Sequence, residues 1–322
     1  MKKIIIPIVV IIIIAAAAFY FFKGGSSSVN APTDVPTDTT PNTPPIVVED
    51  KTKTVIGKSV EGRDIVAYHY GNTDGDASAG NVMATSSTGS SADDVDLLFI
   101  GGIHGGYEWN TSLVSYELMS YLEKTPGIIP QNVRVTVIPV LNPDGLNEVL
   151  ATPFTPSTTG FKAADVSSSQ EKQIAGRFNA NEVDLNRNFD CDWQTEGKWQ
   201  NKTVSGGSAA FSEPESLAIK NYVEANEPDA VVVWYSAAGG VFASSCHNGV
   251  STETRTLTNT FAKASGYKAY ESFNFYEITG DMVNWLAKKE IPAISVLLTN
   301  HTDTEWTKNR AGVEALLKHY AK

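Results

Sequence analysis

Short runs dominated by β-branched and apolar residues alternate along the chain with longer stretches whose apolar positions recur at helical spacing. Arg63 to Tyr70, Val95 to Ile100, Val133 to Val140, Ala230 to Trp234 and Ile294 to Leu298 predict strands, the last three buried. Glu108 to Leu122 carries helical spacing in Trp109, Leu113, Tyr116 and Leu122, with Pro126 and Gly127 as its stop. Further helices are predicted near Thr252 to Ala264, Asp281 to Lys288 and Glu305 to Tyr320. One more begins at Ser212, where Glu215 three residues on gives a capping-box pattern, and runs to about Asn226. This order implies an α/β fold, a sheet with helices on both faces and chemistry in the loops at strand ends.

Two polar or apolar extremes stand outside that alternation. Ile4 to Phe22 is uncharged and apolar, preceded by Lys2 and Lys3 and followed by Lys23, long enough as a helix to cross a hydrocarbon core of about 30 Å. We expect residues 1–23 to be a signal anchor, because Phe19 to Phe22 continue the apolar run past the small residues Ala15 to Ala18 where a signal peptide would be cut. Cleavage there would instead release a secreted protein. Residues 24–48 are Gly, Ser, Thr, Pro and Asp with little to bury, and read as an extended linker. Asp74 to Asp94 reads as a surface loop between two early strands, and residues 49–322 as one domain.

The 322 residues are 42% hydrophobic and 19% charged, which excludes pervasive disorder and a disulfide-dense miniature fold. Removing the three lysines of the anchor leaves 22 basic against 36 acidic side chains, so an exported domain is acidic and a nucleic-acid partner is not expected. Two cysteines, Cys191 and Cys246, allow one cross-link in an oxidising compartment.

Candidate chemistry gathers in a few segments. Gly101-Gly102-Ile103-His104-Gly105-Gly106-Tyr107-Glu108 leaves a strand through glycines and offers an imidazole and a carboxylate that could share a divalent metal. Read alone it also fits a surface loop with an acid at a helix N-terminus, the more common case. Its His-Gly-Gly also invites comparison with the oxyanion loop of α/β-hydrolases, but the chain has no Gly-x-Ser-x-Gly. Arg177 to Phe189, Arg-Phe-Asn-Ala-Asn-Glu-Val-Asp-Leu-Asn-Arg-Asn-Phe, is dense in amide and guanidinium groups suited to clamping a carboxylate.

Val183-Asp184-Leu185-Asn186-Arg187-Asn188-Phe189 resembles the hallmark of the M14 zinc carboxypeptidases, the carboxypeptidase A family. Val140 to Gly145, the His104/Glu108 loop, and Thr279-Gly280-Asp281 leading to Trp285 fall in family order over nearly all of residues 54–320. The resemblance implies a mixed sheet with helices on both faces, one zinc ion, and removal of a peptide's last residue. It matches His104 and Glu108 to the first two zinc ligands, with three residues between them where the commonest motif has two. It matches Arg177 to the arginine that stabilises the oxyanion, Asn186 and Arg187 to the pair holding the substrate's terminal carboxylate, and Tyr276 to a mobile tyrosine over the bound residue. Val283 would lie near the floor of the specificity pocket and hints at an apolar terminal side chain.

Two matched positions depart from the family. Tyr235 stands where the third zinc ligand, a histidine, is expected, and a phenol with pKa near 10 is a poor ligand. Leu297 stands where the family has the glutamate that activates the attacking water, and leucine exchanges no proton. His247, His301 and Glu277 are substitutes weighed for ligand or base, while His69 and His319 have no partner pattern. The expectation is a domain that recognises peptide or cell-wall peptide C-termini outside the cytoplasmic membrane with hydrolysis impaired or lost. The alternative is an active zinc carboxypeptidase with an unusual ligand set. The location favours a Cys191–Cys246 disulfide.

Overall fold

β-Branched residues make the predicted runs stiff and extended, and in the computed structural model, which describes residues 52–71 and 94–322, each forms a strand of one sheet. The strands are β1 (Lys53–Lys58), β2 (Asp64–Gly71), β3 (Val95–Ile100), β4 (Val133–Ile138), β7 (Ala230–Ser236), β8 (Gly240–Ala243), β9 (Ala269–Tyr270) and β10 (Ala293–Leu298), in the order β1-β2-β4-β3-β7-β10-β8-β9. The central four, β4-β3-β7-β10, are parallel, and antiparallel pairs flank them, so the sheet is mixed. A separate hairpin joins β5 (Glu196–Trp199) to β6 (Lys202–Ser205). The helices are α1 (Trp109–Lys124), α2 (Pro143–Asn147), α3 (Gln170–Ala175), α4 (Pro214–Asn226), α5 (Thr252–Ser265), α6 (Met282–Lys288) and α7 (Trp306–Tyr320).

The period of two sorts each strand's side chains into two cores. Ala230, Val232 and Trp234 of β7 join the cluster that holds Val114 and Leu118 of α1, Phe261 of α5 and Val313 of α7. Val231, Val233 and Tyr235 point the other way, among Ile219 of α4 and Leu286 of α6. Helices therefore cover both faces, as expected. Leu297 shares Tyr235's face, and the two are direct partners across the β7–β10 pair.

Several boundaries differ from the sequence reading. The capping box at Ser212 does not form: α4 starts at Pro214, whose fixed φ suits the first helical position, with Glu213 preceding it. The Ser212 hydroxyl donates to Glu213, while Glu215 accepts from the Val60 amide and Asn179. β1, β8, β9 and the β5–β6 hairpin were not predicted, because β1 is a half-polar edge strand and the others span two to four residues. The expected anchor, the linker and all of the Asp74 to Asp94 loop but its last residue lie outside the described residues. Among those described, no helix is long and apolar enough to cross a membrane.

One half-buried histidine ties the antiparallel edge together. His69 places Nε2 2.9 Å from Thr54 Oγ1 and Nδ1 3.1 Å from Thr136 Oγ1, joining β1, β2 and β4. Burial lowers its pKa to about 4, with Asp96 and Arg134 acting in opposite senses. The stability associated with its neutral ring is fully present above the unfolded value of about 6.5 and is lost as pH falls towards 4. We expect His69→Gln to flatten the pH dependence of the urea midpoint across that window relative to the parent chain.

Candidate active site

The parallel strands β3, β7 and β10 end at one edge of the sheet, and the loops leaving them line a cavity of about 890 Å³. His104 lies on the loop after β3. A turn from His104 carries the chain into α1, with Tyr107 N bonded to His104 O and Glu108 set just before the first helical residue. Gly105 makes the turn possible: its φ is +39°, and a Cβ there would meet the backbones of Gly145 and Gly176 at 2.7 Å. With three intervening residues, the turn still brings His104 Nδ1 to 3.0 Å from Glu108 Oε1.

His104 is held from behind. Its Nε2 lies 3.1 Å from Asp184 Oδ1, and an ionised carboxylate can only accept, so Nε2 donates to it while Nδ1 faces Glu108. Asp184 is wholly buried; burial raises its pKa, but Arg177, His104 and Arg187 more than offset this and hold it well below the usual carboxylate range. Arg177 donates to Asp184 Oδ2 through Nε at 3.0 Å and Nη2 at 2.8 Å, and its Nη1 lies 3.8 Å from Glu108. The Trp199 ring of β5 covers the guanidinium at 4.5 Å.

The fit to a divalent metal divides at this point. His104 Nδ1 and Glu108 Oε2 are buried and have no hydrogen-bond partner, both belong to zinc-ligand types, and His104 is backed by the Asp184 carboxylate. The two atoms fit. Tyr235 does not fit: its hydroxyl donates to Asn186 Oδ1 at 3.2 Å, and burial, then Asp281 and Glu108, raise its pKa well above 10. Cys191, Cys246 and His247 also crowd together, but the sulfurs are bonded to each other and His247 is exposed beside Asp192.

Asn186 and Arg187 sit in a short 3-10 turn whose start Asp184 caps through the Asn186 amide. Both line the cavity, and much of their hydrogen-bonding capacity is spent within the protein. Asn186 Oδ1 accepts from Tyr235 and from the Met282 amide, and Nδ2 donates one proton to Asp281 Oδ2 at 2.9 Å. Arg187 donates to Lys198 O through Nε and Nη2 and to Asn186 O through Nη1. By donor count one Asn186 N–H and two Arg187 N–H bonds remain. Tyr276 stands 5.9 Å from the Arg187 guanidinium, and Val283 shares an apolar end of the cavity with Phe242, Phe273 and Phe275. Glu277 lines the rim but is exposed, His301 lines the cavity, and His247 does not.

Four contributors escaped the sequence reading. Asp184 was visible within the quoted motif, two residues before Asn186, but nothing local announces its complete burial. Asp281 belonged to another motif, and its pairing with Asn186, 95 positions earlier, depends on the chain folding back. Trp199 and the Lys198 carbonyl come from the hairpin that was not predicted.

Cys191 and Cys246 form a disulfide, spanning 55 residues, between the loop after the Asn186/Arg187 turn and the loop after β8. Gly280 N donates to Cys191 O and Phe189 N to Gly280 O, so the bridge braces the wall that carries Asp281. Loop-closure entropy for that length gives about 4 kcal/mol as an upper figure. Reduction, or Cys191→Ser with Cys246→Ser, should therefore lower unfolding stability by about 2 to 4 kcal/mol in urea titrations.

Comparison with known proteins places this geometry. A sequence model described as zinc carboxypeptidase, Peptidase M14, matches residues 48–303. Gamma-D-glutamyl-L-diamino acid endopeptidase 1 of Lysinibacillus sphaericus is 28% identical over 156 residues, 47% of this chain and 39% of that protein. The human carboxypeptidase N catalytic chain is 26% identical over 200 residues, 60% of this chain and 37% of its own length. The chain thus spans well under half the length of these curated relatives. Among solved structures, murein-tripeptide amidase MpaA of Escherichia coli O157 superposes with a TM-score of 0.54 at 20% identity, covering 83% of this chain and 91% of that one. Carboxypeptidase A of Helicoverpa armigera gives a TM-score of 0.55 at 20% identity, covering 83% and 66%. At such identities the structural likeness speaks for the fold.

Proposed function

Given that the chain belongs to the M14 zinc carboxypeptidase family, we propose that its cavity receives the C-terminal end of a peptide and that hydrolysis of the terminal residue is impaired or lost. The observation that carries the reading is the pairing of Tyr235 with Leu297 at the ends of β7 and β10. The hydroxyl of the first is turned to Asn186, and the second offers no proton acceptor. A metal held by His104 and Glu108 would supply Lewis-acid polarisation of a carbonyl. Arg177, fixed by Asp184 and shielded by Trp199, is placed to stabilise negative charge near Glu108. The N–H groups left on Asn186 and Arg187 would take the terminal carboxylate, and the end lined by Val283, Phe242 and Phe273 an apolar side chain.

Cell-wall peptides are the substrate class we favour, on the relation to the Lysinibacillus endopeptidase. We further propose that the domain works outside the cytoplasmic membrane, anchored by the apolar Ile4 to Phe22 run, or secreted should that run be cleaved. An active enzyme with an unusual ligand set is the second reading, favoured by the unpartnered His104 and Glu108 atoms. Peptides with a free carboxylate and their C-terminal amides separate the possibilities. We expect the acid to bind and the amide to bind at least about 10-fold more weakly, with no chelator-sensitive turnover of either. Equal binding of both would overturn carboxylate recognition, and rapid chelator-sensitive turnover would overturn the loss of hydrolysis.

A further inference from the structure

We infer that His301, in place of Tyr235, is the third protein ligand of a divalent-metal site completed by His104 and Glu108. Among the described residues, seven buried side-chain nitrogen or oxygen atoms lack a hydrogen-bond partner. Four are hydroxyls, of Ser112, Tyr116, Ser244 and Thr279, and none of those residues lines the cavity. The other three are His104 Nδ1, Glu108 Oε2 and His301 Nδ1, and all three residues line it. A buried polar atom left without a partner is costly, so three gathered on one cavity point to an outside partner. Two imidazole nitrogens and a carboxylate oxygen form a ligand set that zinc and its neighbours accept, with room for an outside ligand. One cation would satisfy all three.

Tyr235 cannot take that place without giving up its bond to Asn186 and losing a proton that its surroundings hold firmly. His301 already has one ring nitrogen without a partner, and turning it towards the other two gives up a bond to the Tyr107 backbone. It follows β10 on the bend before α7, where Asn110 Nδ2 donates to the Asn300 and Asp303 carbonyls and Asn300 Oδ1 accepts from the Thr302 and Asp303 amides. The backbone on either side is thereby fixed. Its ring packs 4.6 Å from that of Tyr107, the residue before Glu108. The three donors are not drawn within 4.8 Å of one another, as those of Cys191, Cys246 and His247 are. The inference therefore includes a rotation of the His301 side chain towards the other two on metal binding.

This rests on the reading of the cavity as a metallocarboxypeptidase site but not on the loss of hydrolysis. The test is zinc titration of the metal-stripped full-length chain by calorimetry, repeated with cobalt(II) so that the visible spectrum reports the ligand set. We expect one ion per chain. His301→Ala and His301→Gln should both weaken binding by more than the roughly 10- to 100-fold typical of losing a supporting partner, with an altered cobalt spectrum. Tyr235→Phe should leave affinity and spectrum unchanged. Failure of the parent chain to bind zinc overturns the inference, as does parent-like affinity in both His301 variants or a loss confined to Tyr235→Phe. Peptide turnover, measured separately, bears on the proposed function and leaves this result standing.

Discussion

Changing Tyr235 to His and Leu297 to Glu together is expected to give chelator-sensitive removal of C-terminal residues at a rate at least about 100-fold above the parent chain, the lower end of what a positioned general base contributes. The backbone is ready for both side chains: the positions are direct partners in the parallel β7–β10 pair, on the face whose strand ends open into the cavity. Removing the phenol frees one bond on Asn186 Oδ1, but the Met282 amide still donates to it and Asp281 still receives Nδ2, so the amide keeps its orientation. A carboxylate at position 297, 7% exposed, enters a largely apolar face. Burial there raises its pKa towards the operating pH, which suits a base, and costs stability. Tyr235→His alone should recover little, because it supplies no base, whereas Leu297→Glu alone, with His301 completing the metal site, should carry most of the gain. The measurement is steady-state hydrolysis of a peptide with a free carboxylate, with thermal melts to show that the variants fold. A folded double variant that binds zinc yet stays at the parent's rate would mean that hydrolysis fails for a reason other than these two side chains.

The periodicity was informative where burial is periodic. β7 reads as an unbroken apolar run, and its alternate residues do divide between the two cores, which is why its sequence implies helices on both faces. The same logic fails for Glu196–Trp199 and Lys202–Ser205, whose short hairpin alternates only weakly and takes its meaning from what it covers. The motif at Asn186 and Arg187 was legible as a cluster of amide and guanidinium groups, yet its internal bonds to Asp281, Tyr235 and the Lys198 carbonyl were not. Each partner lies 11 to 95 residues away and is chosen by the fold. The direction of the Tyr235 hydroxyl needed the structure. So did the unpartnered nitrogen of His301, since a loop histidine beside Asn300 and Thr302 carries no local mark of burial.

Asp184→Asn should be the most damaging conservative change in the molecule, lowering unfolding stability by about 3 to 5 kcal/mol, the usual cost of breaking a buried ion pair from one side. The carboxylate receives Arg177 through two N–H bonds, His104 through Nε2 and the Asn186 backbone amide. An amide of the same shape can accept at one atom only and would present N–H groups to a guanidinium that is 2% exposed. Arg177 has no comparable substitute, because its nearest other acid is Glu108 at 3.8 Å. Replacing both members, with Asp184→Leu and Arg177→Met, should recover part of the loss, since a well-packed apolar pair carries no buried charge. Urea titrations of the three chains give the comparison. A loss below about 1 kcal/mol for Asp184→Asn would show that Glu108 moves in to neutralise Arg177, and that the support behind His104 is not what holds this wall of the cavity.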